Sequence, residues 1–556
     1  MNLTRRSFQF LIVLLFSLTV ISCDGGKCEE DGCGEVNEDQ GISLRIVDNS
    51  CVANAIGAHN YSSLGSITFT ISDVEGNLVF QKSFKKEDIS SSMEISGIKD
   101  VSNATVVISG FGTDSNEVKW LGRITNMNFK AGDKTSINAV LYPTSGQACL
   151  PDPLTIPRFG HTATLLQDGR ILLTGGFTSC SAVKCPASKS VEIIDVESGK
   201  IETLAEMNEE RAMHEAVLLS DGSVVIFGGV RQMDLGSFTV AGYPTLPYSF
   251  SIQATTVERY VPSYPKLNMR NNNTGTVVAN STTDMGLSFT NMPFYPFQTY
   301  YVQNVSDTQK TVYLIGGMGK DYTPVNKVYA FDIVESTGTV TLSAIREMAP
   351  VDKDTMLAPA AGISSGTLFS AGGRAIEPAS VASFYTATAA TAWDGVGGPN
   401  LFYTRSLMVE DNLYTFGGLE NTGDNALADN KKAHRWNIAQ KSVTASSKNI
   451  MAWGSAVFFS DVVYNTAKSH FIIIGGAGGS QTEKDDISAG TNIYQVMTKN
   501  DFLMADSPLT YPMKFNRILP RGTIDKDNGK MFITGGISKL GSAGAAVGAI
   551  EINVIK

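Results

Sequence analysis

The stretch "HTATLLQDGRILLTGG" (residues 161–176) decides how this sequence is read, because it returns as "HEAVLLSDGSVVIFGG" at 214–229. Each copy is an apolar run, a turn dipeptide, a second apolar run and a glycine doublet. Asp168-Gly169 and Asp221-Gly222 are dipeptides favoured in two-residue hairpins, as is Asn528-Gly529 further on. Doublets close an apolar run seven times: Gly175-Gly176, Gly228-Gly229, Gly316-Gly317, Gly372-Gly373, Gly417-Gly418, Gly475-Gly476 and Gly535-Gly536. The runs before them include "ILLT", "VVIF", "VYLI" and "FIII", and most doublets are followed by a polar loop and a further strand such as "VEIID" or "KVYAFD". A self-similar unit of this kind reads as four strands per copy. Glycine suits the strand end because it lacks a Cβ and accepts backbone geometry other residues resist.

The pattern resembles the kelch repeat over roughly residues 150–556. The best copies carry Arg158-x-x-His161 and Arg211-x-x-His214 at the start of the first strand; later copies lack the pair, and the family's tryptophan is missing or displaced in most. The resemblance implies an all-β fold with a seven-bladed kelch-like β-propeller over 145–556, or six blades if the weak fourth copy is not one. The chain's last run, "GAIEINVIK", has no partner strand after it, so residues near 148–155 are expected to supply one and fasten the two ends. The resemblance further implies a non-catalytic binding platform, for protein partners first and glycans second. The alternatives are a carbohydrate-active kelch enzyme resembling sialate mutarotase and a surface structural protein.

The N-terminus points to export. "MNLTRRSF" precedes the apolar stretch "FQFLIVLLFSLTVIS", too short and wrongly flanked for a spanning helix, and Val20-Ile21-Ser22-Cys23 resembles a bacterial lipobox. Residues 1–22 read as a lipoprotein signal peptide and Cys23 as the lipid attachment site, which places the chain at the bacterial cell envelope, membrane leaflet unspecified. The two arginines also resemble a twin-arginine signal, although the strongly apolar run fits general secretion better. Residues 23–41 are small and acidic and read as a flexible tether. Period-2 runs such as "SITFTISD", with Ile67, Phe69 and Ile71 on one face, and "TSINAVLYP", with Ile137, Ala139 and Leu141, predict a small antiparallel β-sandwich over 42–144.

Seven cysteines less the lipidated one leave an even six for an oxidising compartment. Cys180 with Cys185, Cys51 with Cys149 and Cys28 with Cys33 are the disulfide candidates, although six cysteines allow fifteen pairings. Zinc is disfavoured at the C-x4-C pairs, which have no nearby histidine or second CxxC. Without residues 1–22 the chain carries 42 basic against 54 acidic residues, a net charge of −12 that speaks against nucleic acid. Membrane contact is expected through the lipid alone, and the protein as a monomer.

No catalytic residue, cofactor site or metal site stands out. His161 and His214 occupy equivalent positions and are expected to bond neighbouring strands. "GGMGKDY" fails as a phosphate loop because Leu314 and Asp321 stand where glycine and Ser/Thr are needed. "DKDNG" at 525–529 fails as a calcium loop, its glycine one position early. Loops after the doublets are long at 177–190, about 230–254 and 419–432, and length variation of this kind marks binding surfaces. Tyr243, Tyr248, Phe250, Phe294, Tyr295 and Phe297 are the candidate binding-face aromatics, since rings give contact area at low entropic cost.

Overall fold

A computed structural model describes residues 40–46 and most of 64–554; the longer segments outside the description are 264–280, 290–298, 349–356, 446–460, 478–492 and 499–508. The opening stretch forms the hairpin Thr162–Leu165 and Ile171–Thr174, extended by Val191–Asp195 and Lys200–Leu204 into a four-stranded antiparallel sheet. Its turn differs from the two-residue form expected. Gly169 N–H donates to Leu166 O (3.1 Å) and Leu166 N–H to Arg170 O (2.8 Å), so three residues form the loop, with Gly169 at φ 85°. The second copy repeats it with Gly222 and Leu219. Aspartate stabilises this loop from inside: Asp168 and Asp221 each accept the N–H two residues on.

The second strands, Ile171–Thr174 and Val224–Phe227, are buried on both faces. This explains their unbroken apolar runs, since sheets cover both sides. Leu172 packs with Val224, Ile226 and Tyr260 of the next sheet, while Ile171 and Leu173 pack with Phe532 and Ile552 of the last one.

Hydrogen-bonded ladders stop at the doublets. Gly175 and Gly176 take φ 59° and 97°, and a Cβ on Gly175 would collide with Arg211 O. The left-handed pair turns the chain out of its sheet, where only glycine fits without strain. Among the described residues the result is nine small sheets of three to five strands, separate from one another, beside one seven-stranded sheet. Two of the nine, Lys184–Pro186 with Val230–Phe238 and Leu246–Gln253, and Leu401–Phe402 with Leu419–Asn421 and Leu427–Asp429, are three-stranded additions that the seven-copy pattern does not contain. The kelch-repeat identification and the closed, seven-bladed β-propeller drawn from it are therefore corrected to an all-β fold of many separate small sheets.

The expected fastening of the ends is present as a strand pair: Gln147–Cys149 lies antiparallel to Glu551–Val554. The sheet before it also departs from expectation. Its seven strands run Leu78–Lys85, Leu64–Ser72, Val101–Gly112, Val118–Phe129, Ile137–Pro143, Gln40–Ile46 and Ser92–Ile95 in one path. Gln40–Ile46 is parallel to Ile137–Pro143, so the unit is mixed rather than an antiparallel sandwich. Ile67, Phe69, Ile71, Ile137, Ala139 and Leu141 share its core, as their alternation predicts. It is joined to the first small sheet through Glu197, whose Oε1 accepts Thr125 Oγ1–H (2.9 Å) and whose carbonyl accepts Val140 N–H (2.9 Å).

Buried arginines tie the small sheets together. Arg158, Arg211 and Arg517 are fully buried, and each donates from Nη1 to the carbonyl of a doublet's first glycine: Gly175 (2.8 Å), Gly228 (3.0 Å) and Gly535. Each also pairs with a buried glutamate, Glu192 (2.7 Å), Glu258 (2.6 Å) and Glu551 (3.0 Å). The backbone carbonyl of the same arginine accepts the second glycine's N–H from a neighbouring copy: Gly176 to Arg211 (2.9 Å), Gly476 to Arg517 (2.8 Å) and Gly536 to Arg158 (2.8 Å).

Removing one member of such a pair strands a buried charge. Arg158→Met is expected to destabilise the protein by about 3–5 kcal/mol in urea unfolding. Adding Glu192→Gln, which stays neutral yet still accepts the Thr155 N–H, should recover more than half of that loss.

Candidate functional site

The residues that follow the doublets converge. Phe177, Val230, Met318, Leu419, Ala477 and Ile537 belong to one buried cluster, joined by Phe159, Ala212, Phe402 and Ile518. The seventh, Arg374, is also fully buried; it donates to Gly372 O (2.7 Å) and Ser370 Oγ (3.2 Å). The aromatics expected on a binding face enter this cluster instead. Tyr243, Tyr248 and Phe250 are at most 5% exposed, with the Tyr248 ring tilted against Tyr403 at 5.0 Å between centroids and Tyr243 6.4 Å from Phe402. Their rings fill the space between the two added three-stranded sheets, so the long loops make core before they make surface. Phe294, Tyr295 and Phe297 lie outside the described residues.

Cys180 and Cys185 form the expected disulfide at the rim of the same cluster, Cys185 being fully buried. Cys149 is disulfide-bonded. Its proposed partner Cys51 lies outside the described residues, as do Cys23, Cys28 and Cys33.

His161 and His214 bond across sheets. His161 Nε2 is 2.9 Å from Thr534 Oγ1, and His214 Nε2 is 2.9 Å from Thr174 Oγ1. Burial first, and nearby arginines second, hold both imidazoles well below the ordinary histidine range. Among the described residues, no group of three or more His, Cys, Asp or Glu side chains could hold a metal ion.

The charged residues that come together are ones the motif search passed over. The residue before each doublet pairs with the first residue of its hairpin: Thr174 with Thr162, Phe227 with Glu215, Phe416 with Arg405, Ile474 with Asp461, and Thr534 with Arg521. Aligning the copies on the doublet would have placed these polar side chains at one structural position. Asp461, 3% exposed, anchors the group. It accepts Gly522 N–H (2.8 Å) and Arg521 Nη1–H (3.2 Å) and forms an ion pair with Arg405 Nη2 (3.2 Å). Arg521 also donates from Nε to His161 O (2.8 Å). Its guanidinium is pulled down from the usual arginine range by burial and then by Arg405, against the opposing pull of Asp461 and Glu215. Two guanidinium groups around one carboxylate can hold an anion.

No family model matches the chain, and no curated protein does. Among solved structures it is similar to one described as the structure of YjhT, at 11% identity and a TM-score of 0.37, over 72% of this chain and 96% of that one. A likeness of that strength carries no statement about this chain's function. The propeller-shaped binding platform has no support in the separate sheets, and that reading is withdrawn together with its kelch-enzyme alternative.

The histidines set a pH dependence. His161 and His214 are held neutral, and burial followed by Lys432 lowers His434 to about 4. A base whose pKa is depressed by folding contributes stability above its unfolded value, near 6.5, and loses it as pH falls. Unfolding free energy is therefore expected to drop between pH 6.5 and 4.5, by about 1.4 kcal/mol per pH unit for each such histidine. His161→Gln should flatten that slope by about one proton in urea titrations across the range.

Proposed function

We propose that this chain is an exported protein held at the bacterial cell envelope by a lipid on Cys23. The observation that carries the reading is cysteine oxidation in the described structure. Cys180 is bonded to Cys185, and Cys149 is in a disulfide. Disulfides persist in secreted and periplasmic proteins and are rare where the glutathione and thioredoxin systems keep thiols reduced. The apolar segment ending in Val20-Ile21-Ser22-Cys23 supplies the route and the anchor. In this reading residues 23–39 are the tether, since the strand Gln40–Ile46 already belongs to the folded part, which meets its partner as a monomer with the lipid as its membrane contact. A protein partner fits an acidic mature chain of 42 basic against 54 acidic residues, net charge −12, better than nucleic acid does.

Metabolic labelling with an alkyne fatty acid in a bacterial host checks the anchor. The wild-type chain is expected to take up label and to sediment with membranes, whereas Cys23→Ser takes up none and becomes soluble. Labelling of the Cys23→Ser variant at the wild-type level would overturn the assignment.

A further inference from the structure

We propose that the Cys180–Cys185 disulfide is a one-directional acceptor site for a small-molecule thiol, which adds to Cys180 and leaves Cys185 as the free thiol that later expels it. The two sulfurs are bonded to each other but differ in access. Cys185 is fully buried in the cluster that gathers the residues after the doublets. Cys180 is only partly buried against that cluster, with exposed Ser179 and Ser181 on either side of it and an exposed run through Lys184. A thiolate attacks a disulfide at one sulfur and expels the other, so access decides which sulfur takes the new bond. Here the attack falls on Cys180, and the leaving group is Cys185.

The exchange balances without a separate oxidant or reductant. The bond between the two protein sulfurs breaks and a bond from the incoming sulfur to Cys180 Sγ forms. The electron pair goes to Cys185 Sγ, which takes up the proton that the small thiol gave up. Apolar surroundings disfavour a thiolate at Cys185, so opening is slower than in an unfolded chain. The turn between the cysteines has its own hydrogen bonds. Ser181 N–H donates to Lys184 O (2.8 Å), and Ser181 Oγ accepts Val183 N–H (3.3 Å) and Lys184 N–H (3.1 Å). Val183 O accepts Leu235 N–H (2.8 Å), and Cys185 pairs with Met233 in the ladder. With the bridge open, Cys185 therefore stays beside Cys180, where it attacks the mixed disulfide and restores the bond. The inference concerns how this bridge opens and does not depend on the lipid at Cys23.

The test uses the full chain after signal removal, with reduced glutathione as the probe and acid-quenched peptide mapping by mass spectrometry as the readout. In the folded chain glutathione is expected on Cys180 at least tenfold more than on Cys185, whereas the same chain in urea carries it on both. Removing free glutathione should return the folded adduct to the Cys180–Cys185 bridge. Cys185→Ala, which keeps an apolar residue in the cluster and is loaded with oxidised glutathione, should retain its adduct after the same removal. Equal occupancy of the two cysteines in the folded chain would overturn the proposal. So would an unmodified Cys180 under conditions that modify the chain in urea, and neither outcome needs a variant to fold. Loss of the Cys185→Ala adduct as fast as the wild-type one would overturn the resolving role of Cys185.

Discussion

A guanidinium taken fully out of water must find acceptors for its donors, and this chain meets that demand in the same way three times. Arg158, Arg211 and Arg517 each turn toward a glycine carbonyl and a buried glutamate, the glycine standing 17, 17 and 18 positions after the arginine. The glutamates also accept backbone N–H groups from the link leading into their arginine, such as Thr155 for Glu192 and Asn208 for Glu258. One device thus fixes a link, a strand end and a neighbouring sheet together. Replacing such a network by apolar side chains of equal volume is often near neutral in stability, so its value here lies in setting position.

Position is what the rest of the molecule uses. With the doublets fixed, the residue after six of the seven enters the common cluster, and the residue before a doublet sets the register of the first strand. Phe177 and Ile537 follow the first rule, and Arg405, Asp461 and Arg521 owe their proximity to the second. The copies need not be identical for this to work. Asn430 donates to Gly417 O (2.8 Å) where other copies use arginine, and Arg374 bonds back to its own doublet.

The hairpins and the doublets were legible because apolar runs, turn aspartates and paired glycines are local signals. The inward faces of Ile67, Phe69 and Ile71 were legible for the same reason, as was the strand supplied by residues 147–149. Larger arrangement was not. One added sheet arises from loops 177–190 and 230–254 pairing with each other, the other from loop 419–432 pairing with Leu401–Phe402, and no local pattern in polar, glycine-containing loops announces such a partner. For that reason Tyr243, Tyr248 and Phe250 read as surface rings and turned out to be core. The parallel pairing of Gln40–Ile46 was hidden likewise, since period-2 alternation is the same in parallel and antiparallel strands. Arg517 was missed because Pro520 stands where the motif has histidine, and Asp461 because its role appears only once the copies are aligned on their glycines.

The claim on which this account rests is that the doublet N–H bonds to the arginine carbonyls form one cooperative network. Amide hydrogen exchange under native conditions reads it most directly, in peptides containing Gly176, Gly476 and Gly536. The account predicts strong protection at all three and a common opening free energy, because Arg517 links Gly476 to Gly535 and Arg158 links Gly536 to Gly175, so the bonds form one chain. Rapid exchange at these glycines, or three unrelated opening energies, would contradict it.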